Sequence, residues 1–232
     1  MEVKAIGISK EIARKNAPNA PFLAVAPVDF TLRPGQVVTV MGKSGSGKST
    51  LLNMLAGLLS PTKGQVLQGD IDLYKLSDEE RSKYRNQHIG VISQGQTPIG
   101  TLTVLENVLL PGLLFPATGE DQKEDAIRER AISLLEELGI ADLQNAYPKE
   151  LSGGECRRMA IARALSTNPE VIYADEPTAD LDDENTEKVL KLLRQRADQG
   201  ACVLLVTHDE EALPYSDIVY TMKGGVLIFE KF

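Results

Sequence analysis

The stretch Gly42–Thr50, reading GKSGSGKST, constrains this chain more than any other. It holds the pattern G-x-x-x-x-G-K-S between an apolar run, Val37–Met41, and a helical pattern from Ser49 to about Leu58. Glycines Gly42, Gly45 and Gly47, with Ser44 and Ser46 between them, let the backbone curl until successive N–H groups face one point, as phosphate oxygens require. Lys48 supplies a point charge to β- and γ-phosphates, and the Ser49 hydroxyl can ligate Mg2+. The helix that takes in Ser49 and Thr50 directs its positive dipole end at the same anion. Chance yields this pattern in about one chain of this length in a hundred, and the strand before it and helix after it lower that figure. Lys43 is a candidate second phosphate ligand, with a solvated lysine as the plainer reading.

A phosphate site needs a hydrolytic end. Val171-Ile-Tyr-Ala-Asp175-Glu176 is an apolar run ending in two carboxylates. A strand buried on both faces delivers them to the carboxyl edge of a parallel sheet, where phosphate and metal sit. Asp175 is suited to hold Mg2+ through water, and Glu176 to face the attacking water as base or orienter. His208 follows the apolar strand Cys202–Val206 through Thr207 and can reach a γ-phosphate. Gln94 follows the strand Ile89–Ile92 and can contact Mg2+ or the water. His88, at a strand start, reads as structural.

Along the chain, short apolar runs alternate with helical patterns, an α/β signature. Ser77 with Glu80 and Thr103 with Glu106 are capping-box patterns that open helices. From about Asp121 to Leu138, Ile127, Ala131, Leu134, Leu135 and Leu138 recur at helical spacing, and Gly139 is a suitable terminator. No strand pattern occurs between about residues 100 and 168. The expected organisation is one domain, 1–232, with a core of 1–95 and 169–232 and a helical subdomain at 96–168. After Val171–Ala174 come a helix over Asp183–Gln199, the Cys202–Val206 strand, and a hairpin of Ile218–Met222 and Val226–Phe229. Asn16–Pro21 reads as a polar, proline-bearing loop.

Composition narrows the partners. The formal net charge is −8, without the basic face of a nucleic-acid binder. Arg157-Arg158, the most obvious basic pair, is too short to argue from. Cys156 and Cys202 lack metal or disulfide spacing and fit a reducing cytoplasm. Val108–Phe115, the longest apolar patch, is broken by Pro111 and Gly112 and falls short of the ~20 residues of a membrane helix. A role at a membrane is therefore peripheral, without insertion.

Leu151-Ser152-Gly153-Gly154-Glu155 precedes a helix running to about Ser166. Ser152 and the glycines offer a hydroxyl and approachable N–H groups at a helix N-terminus, a second anion site. One ATPase site has no need of two such helix starts; two copies arranged head to tail need both. With this motif the sequence resembles the ABC ATPase family over nearly its whole length. The resemblance covers the phosphate loop, Gln94, the signature at Leu151–Glu155, Asp175 with Glu176, Asp180-Leu181-Asp182, and His208. It implies a P-loop NTPase core with a mixed sheet and an inserted helical subdomain. It further implies ATP and Mg2+ as cofactors and a homodimer on ATP binding, each ATP sandwiched between one copy's loop and the other's signature. Transmembrane permease subunits are the implied partners, with the chain cytoplasmic and peripheral on the inner face of the cell membrane. IGVISQ, LTVLENVLLPGLL and ADEPTADLD resemble the branch serving lipoprotein release, macrolide or peptide export, and the division-linked complex.

Three positions depart from the family's pattern. Cys156 stands where glutamine is usual and Asp180 where a small or amide residue is common. Ile12 falls where an aromatic residue stacks on adenine, with Phe22 as a substitute. The alternatives to transport are a non-transport ABC ATPase or a regulatory ATP-binding module of a division-type complex. Only about 110 residues separate phosphate loop from signature, with no heptad run, unlike chromosome-type members. The single cassette is unlike the tandem translation type, and an intact Glu176 and His208 argue against a dead site.

Overall fold

The computed structural model describes residues 1–14, 17–95, 98–115 and 124–230. A six-stranded mixed sheet lies at the centre, built on β3 (Val37–Met41), β6 (Ile89–Ile92), β7 (Val171–Asp175), β8 (Cys202–Thr207), β9 (Ile218–Lys223) and β10 (Val226–Glu230). Its order is β10-β9-β3-β8-β7-β6. All pairs are parallel except the β9–β10 hairpin.

The apolar runs explain this sheet. A parallel strand covered on both faces has no polar side, so its sequence is continuously hydrophobic. Alternate residues feed two cores. Ile172, Ala174, Val203 and Leu205 enter one, shared with α3 (Val104–Leu114), α4 (Glu124–Glu137), α5 (Gly153–Leu165) and α6 (Asp183–Asp198). Val171, Tyr173, Cys202, Leu204 and Val206 enter the other, shared with α1 (Lys48–Leu55) and a second sheet.

That second sheet is antiparallel, in the order β2-β1-β4-β5, from β1 (Val3–Arg14), β2 (Ala17–Leu32), β4 (Lys63–Gln68) and β5 (Ile71–Asp72). It corrects the reading of Asn16–Pro21 as a loop: β2 begins at Ala17, and Asn16 lies outside the described residues. Local proline and polar content lost to the long pairing with β1, whose partners run from Val3↔Leu32 to Arg14↔Ala17. Glycine is required where β1 and β4 approach, because a Cβ on Gly64 would sit 2.5 Å from the Gly7 carbonyl carbon.

Both expected capping boxes form, at Ser77 and Glu80 before α2 (Asp78–His88) and at Thr103 and Glu106 before α3. Helix α1 ends at Leu55, earlier than expected, where Gly57 turns the chain at φ +71°. Ile127, Ala131, Leu134 and Leu135 form the buried face of α4. The expected start of that helix at Asp121 lies outside the described residues. No strand occurs from Val104 to Leu165 among the described residues. The helices there share one apolar cluster with the central sheet instead of forming a separate core.

Candidate nucleotide site

Strand β3 runs into the phosphate loop, and α1 carries the chain away. Gly42 has φ +155° and Gly47 φ +108°. A Cβ on Gly42 would lie 2.5 Å from the Met222 carbonyl oxygen, and one on Gly47 2.4 Å from that of Ala24. Backbone packing therefore demands glycine at both. The Gly47 cap of α1 offers no side chain to the helix start, so the first N–H groups await an acceptor. Buried Lys48 sends Nζ to the Gly42 carbonyl at 2.6 Å and stands 3.8 Å from Glu176 Oε1.

Above the loop lies a cleft of about 700 Å3, a volume suited to a nucleotide. Ser44, Gly45, Ser46, Gly47, Lys48, Ser49 and Thr50 line it, with Gln94, Asp175, Glu176 and His208. Gly42 serves from behind, as the carbonyl partner of Lys48. Ile12 and Phe22 also line the cleft and face each other as partners across β1 and β2. Lys43 lines it as well.

The two carboxylates have different surroundings. Asp175 ends β7 in the interior, and burial raises its pKa although a bond from the Ser49 hydroxyl opposes this. Its Oδ1 is buried with no hydrogen-bond partner. An orphaned carboxylate oxygen beside a serine hydroxyl is the donor set a divalent cation takes. Glu176 adopts φ +48°, a conformation costing about 1–3 kcal/mol for a non-glycine residue. Its carboxylate accepts from Thr207 Oγ1 and contacts His208 Nδ1, each at 3.0 Å, and its N–H donates to Val206 at 2.8 Å. The His208 ring is tied at Nδ1, yet its side chain is 74% exposed.

The signature is elsewhere. Ser152 caps α5 in a full capping box, its hydroxyl and N–H each 2.7 Å from Glu155 Oε2. These bonds hold the Glu155 carboxyl below its usual range. Ser152 and Gly153 are exposed, and neither they nor Gly154 line the cleft. One chain thus brings phosphate loop, Gln94, Asp175, Glu176 and His208 together and leaves the Ser152 end of α5 outside.

Two further residues gain roles that the sequence reading did not assign. Asn107, wholly buried, accepts from the Ile99 N–H and donates to the carbonyls of Ile99, Leu102 and Thr103. A polar residue one helical turn inside an apolar run was its only sequence signal. Arg157 is buried against the carbonyls of Ser93 and Gln94. In sequence it showed only as half of a basic pair too short to argue from.

Residues 25–179 match the profile of the family described as ABC transporter. The Treponema denticola lipoprotein-releasing system ATP-binding protein LolD is 40% identical over 201 residues, covering 86% of this chain and 87% of that one. The Bacillus subtilis ABC transporter ATP-binding protein YtrE is 35% identical over 229 residues, covering 98% and 96%. A solved dimer of the ATP-binding cassette MJ0796, in a post-hydrolysis state bound to ADP and Pi, superposes with a TM-score of 0.88 at 35% identity, covering 99% and 97%. The chain belongs to the ABC transporter family, as an ATP-binding subunit with ATPase activity.

Proposed function

We propose that two copies of this chain close head to tail around ATP, the loop of each facing the Ser152 end of α5 in the other, and so drive separate transmembrane permease subunits. The observation that carries this is the exposed signature helix start, complete in its capping and outside the cleft that holds every other phosphate-facing group. Gly42–Thr50 cradle the phosphates, Lys48 neutralising the β- and γ-oxygens. Ser152, Gly153 and Gly154 meet the γ-phosphate of the ATP held by the other copy.

Ser49, Asp175 and Gln94 would hold Mg2+, which supplies charge neutralisation on the phosphates. The unpartnered Oδ1 of Asp175 and its contact with Ser49 fit that ion. Glu176 orients the attacking water and takes its proton as the water oxygen bonds the γ-phosphorus. The bond from that phosphorus to the β–γ bridging oxygen breaks, leaving ADP and phosphate. His208, tied to Glu176, senses the γ-phosphate. The strained Glu176 backbone is held by bonds to Val206 and Thr207 of β8 and to His208 just beyond it, which keeps the carboxylate from relaxing away from that position.

Residues 96–168 act as the helical subdomain that carries the signature, against a core of 1–95 and 169–232. No helix among the described residues is long and apolar enough to cross a membrane. The permease therefore provides the crossing, with this subunit on the inner face of the cell membrane. The motifs and the similarity to LolD favour the lipoprotein-release and macrolide-export branch.

Purified Glu176→Gln protein tests the reading: it should bind ATP as the parent does and hydrolyse it about 100-fold more slowly. Hydrolysis at the parental rate would remove Glu176 from the mechanism.

A further inference from the structure

Arg157 is among the largest fully buried side chains, 2% exposed, and its charge acts on Asp175, opposing the burial that raises that carboxyl's pKa, without a direct ion pair among the described residues. A buried guanidinium without an ion pair is costly and is kept only where its fork is used. One arm donates to the Ser93 carbonyl at 2.8 Å and the other to the Gln94 carbonyl at 2.9 Å. Nε has no partner. These two carbonyls lie where the chain leaves β6, and the second belongs to the glutamine whose side chain lines the cleft. Arg157 itself stands on α5, five positions beyond Ser152, the exposed cap of that helix. One rigid side chain thus joins the signature helix to the backbone of Gln94.

We propose that Arg157 is a positioning residue that couples the exposed start of α5 to Gln94 in the nucleotide cleft. A displacement of α5 is carried through the planar fork to two consecutive carbonyls, and so to the Gln94 side chain. Given the head-to-tail arrangement proposed above, on which this part rests, ATP held at one copy's signature is felt by Gln94 in that copy's own cleft. Farther along the chain Asn107, on α3, grips Ile99, Leu102 and Thr103.

The fork is what matters, because a lysine keeps the charge but presents a point donor in place of two fixed parallel N–H groups. Parent, Arg157→Lys and Arg157→Leu proteins are compared by ATP titration, steady-state kinetics and amide hydrogen exchange. Both variants should bind ATP within about threefold of the parent, since phosphate-loop contacts are untouched. Their kcat should fall about tenfold or more, because a misplaced catalytic-cleft group loses orientation, with KM within about threefold. Exchange should rise in residues 89–95 and not across the other helices. A kcat for Arg157→Lys within twofold of the parent would overturn the proposal, as would faster exchange spread evenly over the molecule. The Lys variant decides the matter if the Leu variant does not fold. The head-to-tail reading is judged separately, by ATP-driven dimerisation of Glu176→Gln protein. If that protein stays monomeric while both Arg157 variants behave as expected, the dimer reading fails and the link from α5 to Gln94 stands within one chain.

Discussion

Lys48 and Asp175 show at the scale of single residues how the site stores its chemistry. The Lys48 ammonium is held 2.6 Å from a loop carbonyl and 3.8 Å from Glu176, inside the protein. Lys48→Ala removes a charge-assisted contact to phosphate and should weaken ATP binding about tenfold or more by isothermal titration, in line with the ~1.5–3 kcal/mol such bonds contribute. Asp175 is the opposite case, a charge kept under strain. Burial raises its folded-state pKa above the unfolded value. Between those two pKa values the folded state binds more protons, so the group's contribution to stability falls as pH rises through that window. Once the folded-state carboxyl is ionised, the penalty is fully present. Asp175→Asn should therefore raise the melting temperature of the nucleotide-free protein at a pH where the carboxylate is ionised, while abolishing Mg2+-dependent hydrolysis. An unchanged or lower melting temperature would show that the carboxylate is not strained. Cys156 makes a control. It is buried, with Sγ 3.7 Å from the Pro148 carbonyl, and burial pushes its thiol pKa up, away from a reactive thiolate. Cys156→Ser should keep kcat within about twofold of the parent, a conservative swap outside the reacting groups.

Elements differ in how much of them the sequence declares. The central strands β3, β6, β7 and β8 announce themselves because both faces are buried, so Val171–Ala174 is an unbroken apolar run and Val37–Met41 is interrupted by Thr39 alone. Helices α2 and α3 are declared by their capping boxes and α4 by its buried stripe. Strands β1 and β2 are not. Val3 and Ala5 alternate with exposed Lys4 and Ile6, but the register shifts between Ala5 and Ile8 and again at Ile8 and Lys10, which breaks the period of two. Their pairing is a long-range property that no local window contains. The same holds within the site. Gly42–Thr50, Asp175, Glu176 and His208 were legible from type and spacing, whereas Asn107 and Arg157 gain meaning only from carbonyls the fold brings to them. Element stability offers a direct check. Thr103 caps α3 with a reciprocal bond to Glu106, and Thr103→Ala should lower unfolding stability by about 1 kcal/mol in urea. A change below about 0.3 kcal/mol, within the spread of ordinary surface substitutions, would show that the cap contributes little to that helix.

For the whole molecule, the decisive observation is that one chain holds two helix starts, one lining the cleft and one at Ser152, that do not meet. The cleft gathers the loop and the carboxylates, and the Ser152 end of α5 faces solvent. In the head-to-tail arrangement proposed above, the two meet across copies. Each copy's net charge of −8 opposes close approach of two chains, so ATP must supply the adhesion at the seam. Size-exclusion chromatography of Glu176→Gln protein with ATP and Mg2+ tests this most directly. Removing the Glu176 charge relieves repulsion with the γ-phosphate and arrests hydrolysis, so the closed pair persists. The account predicts a shift from monomer to dimer on adding ATP, abolished when Ser152→Arg is introduced into the same chain. A Glu176→Gln protein saturated with ATP that remains monomeric, or a dimer that survives Ser152→Arg, would contradict it.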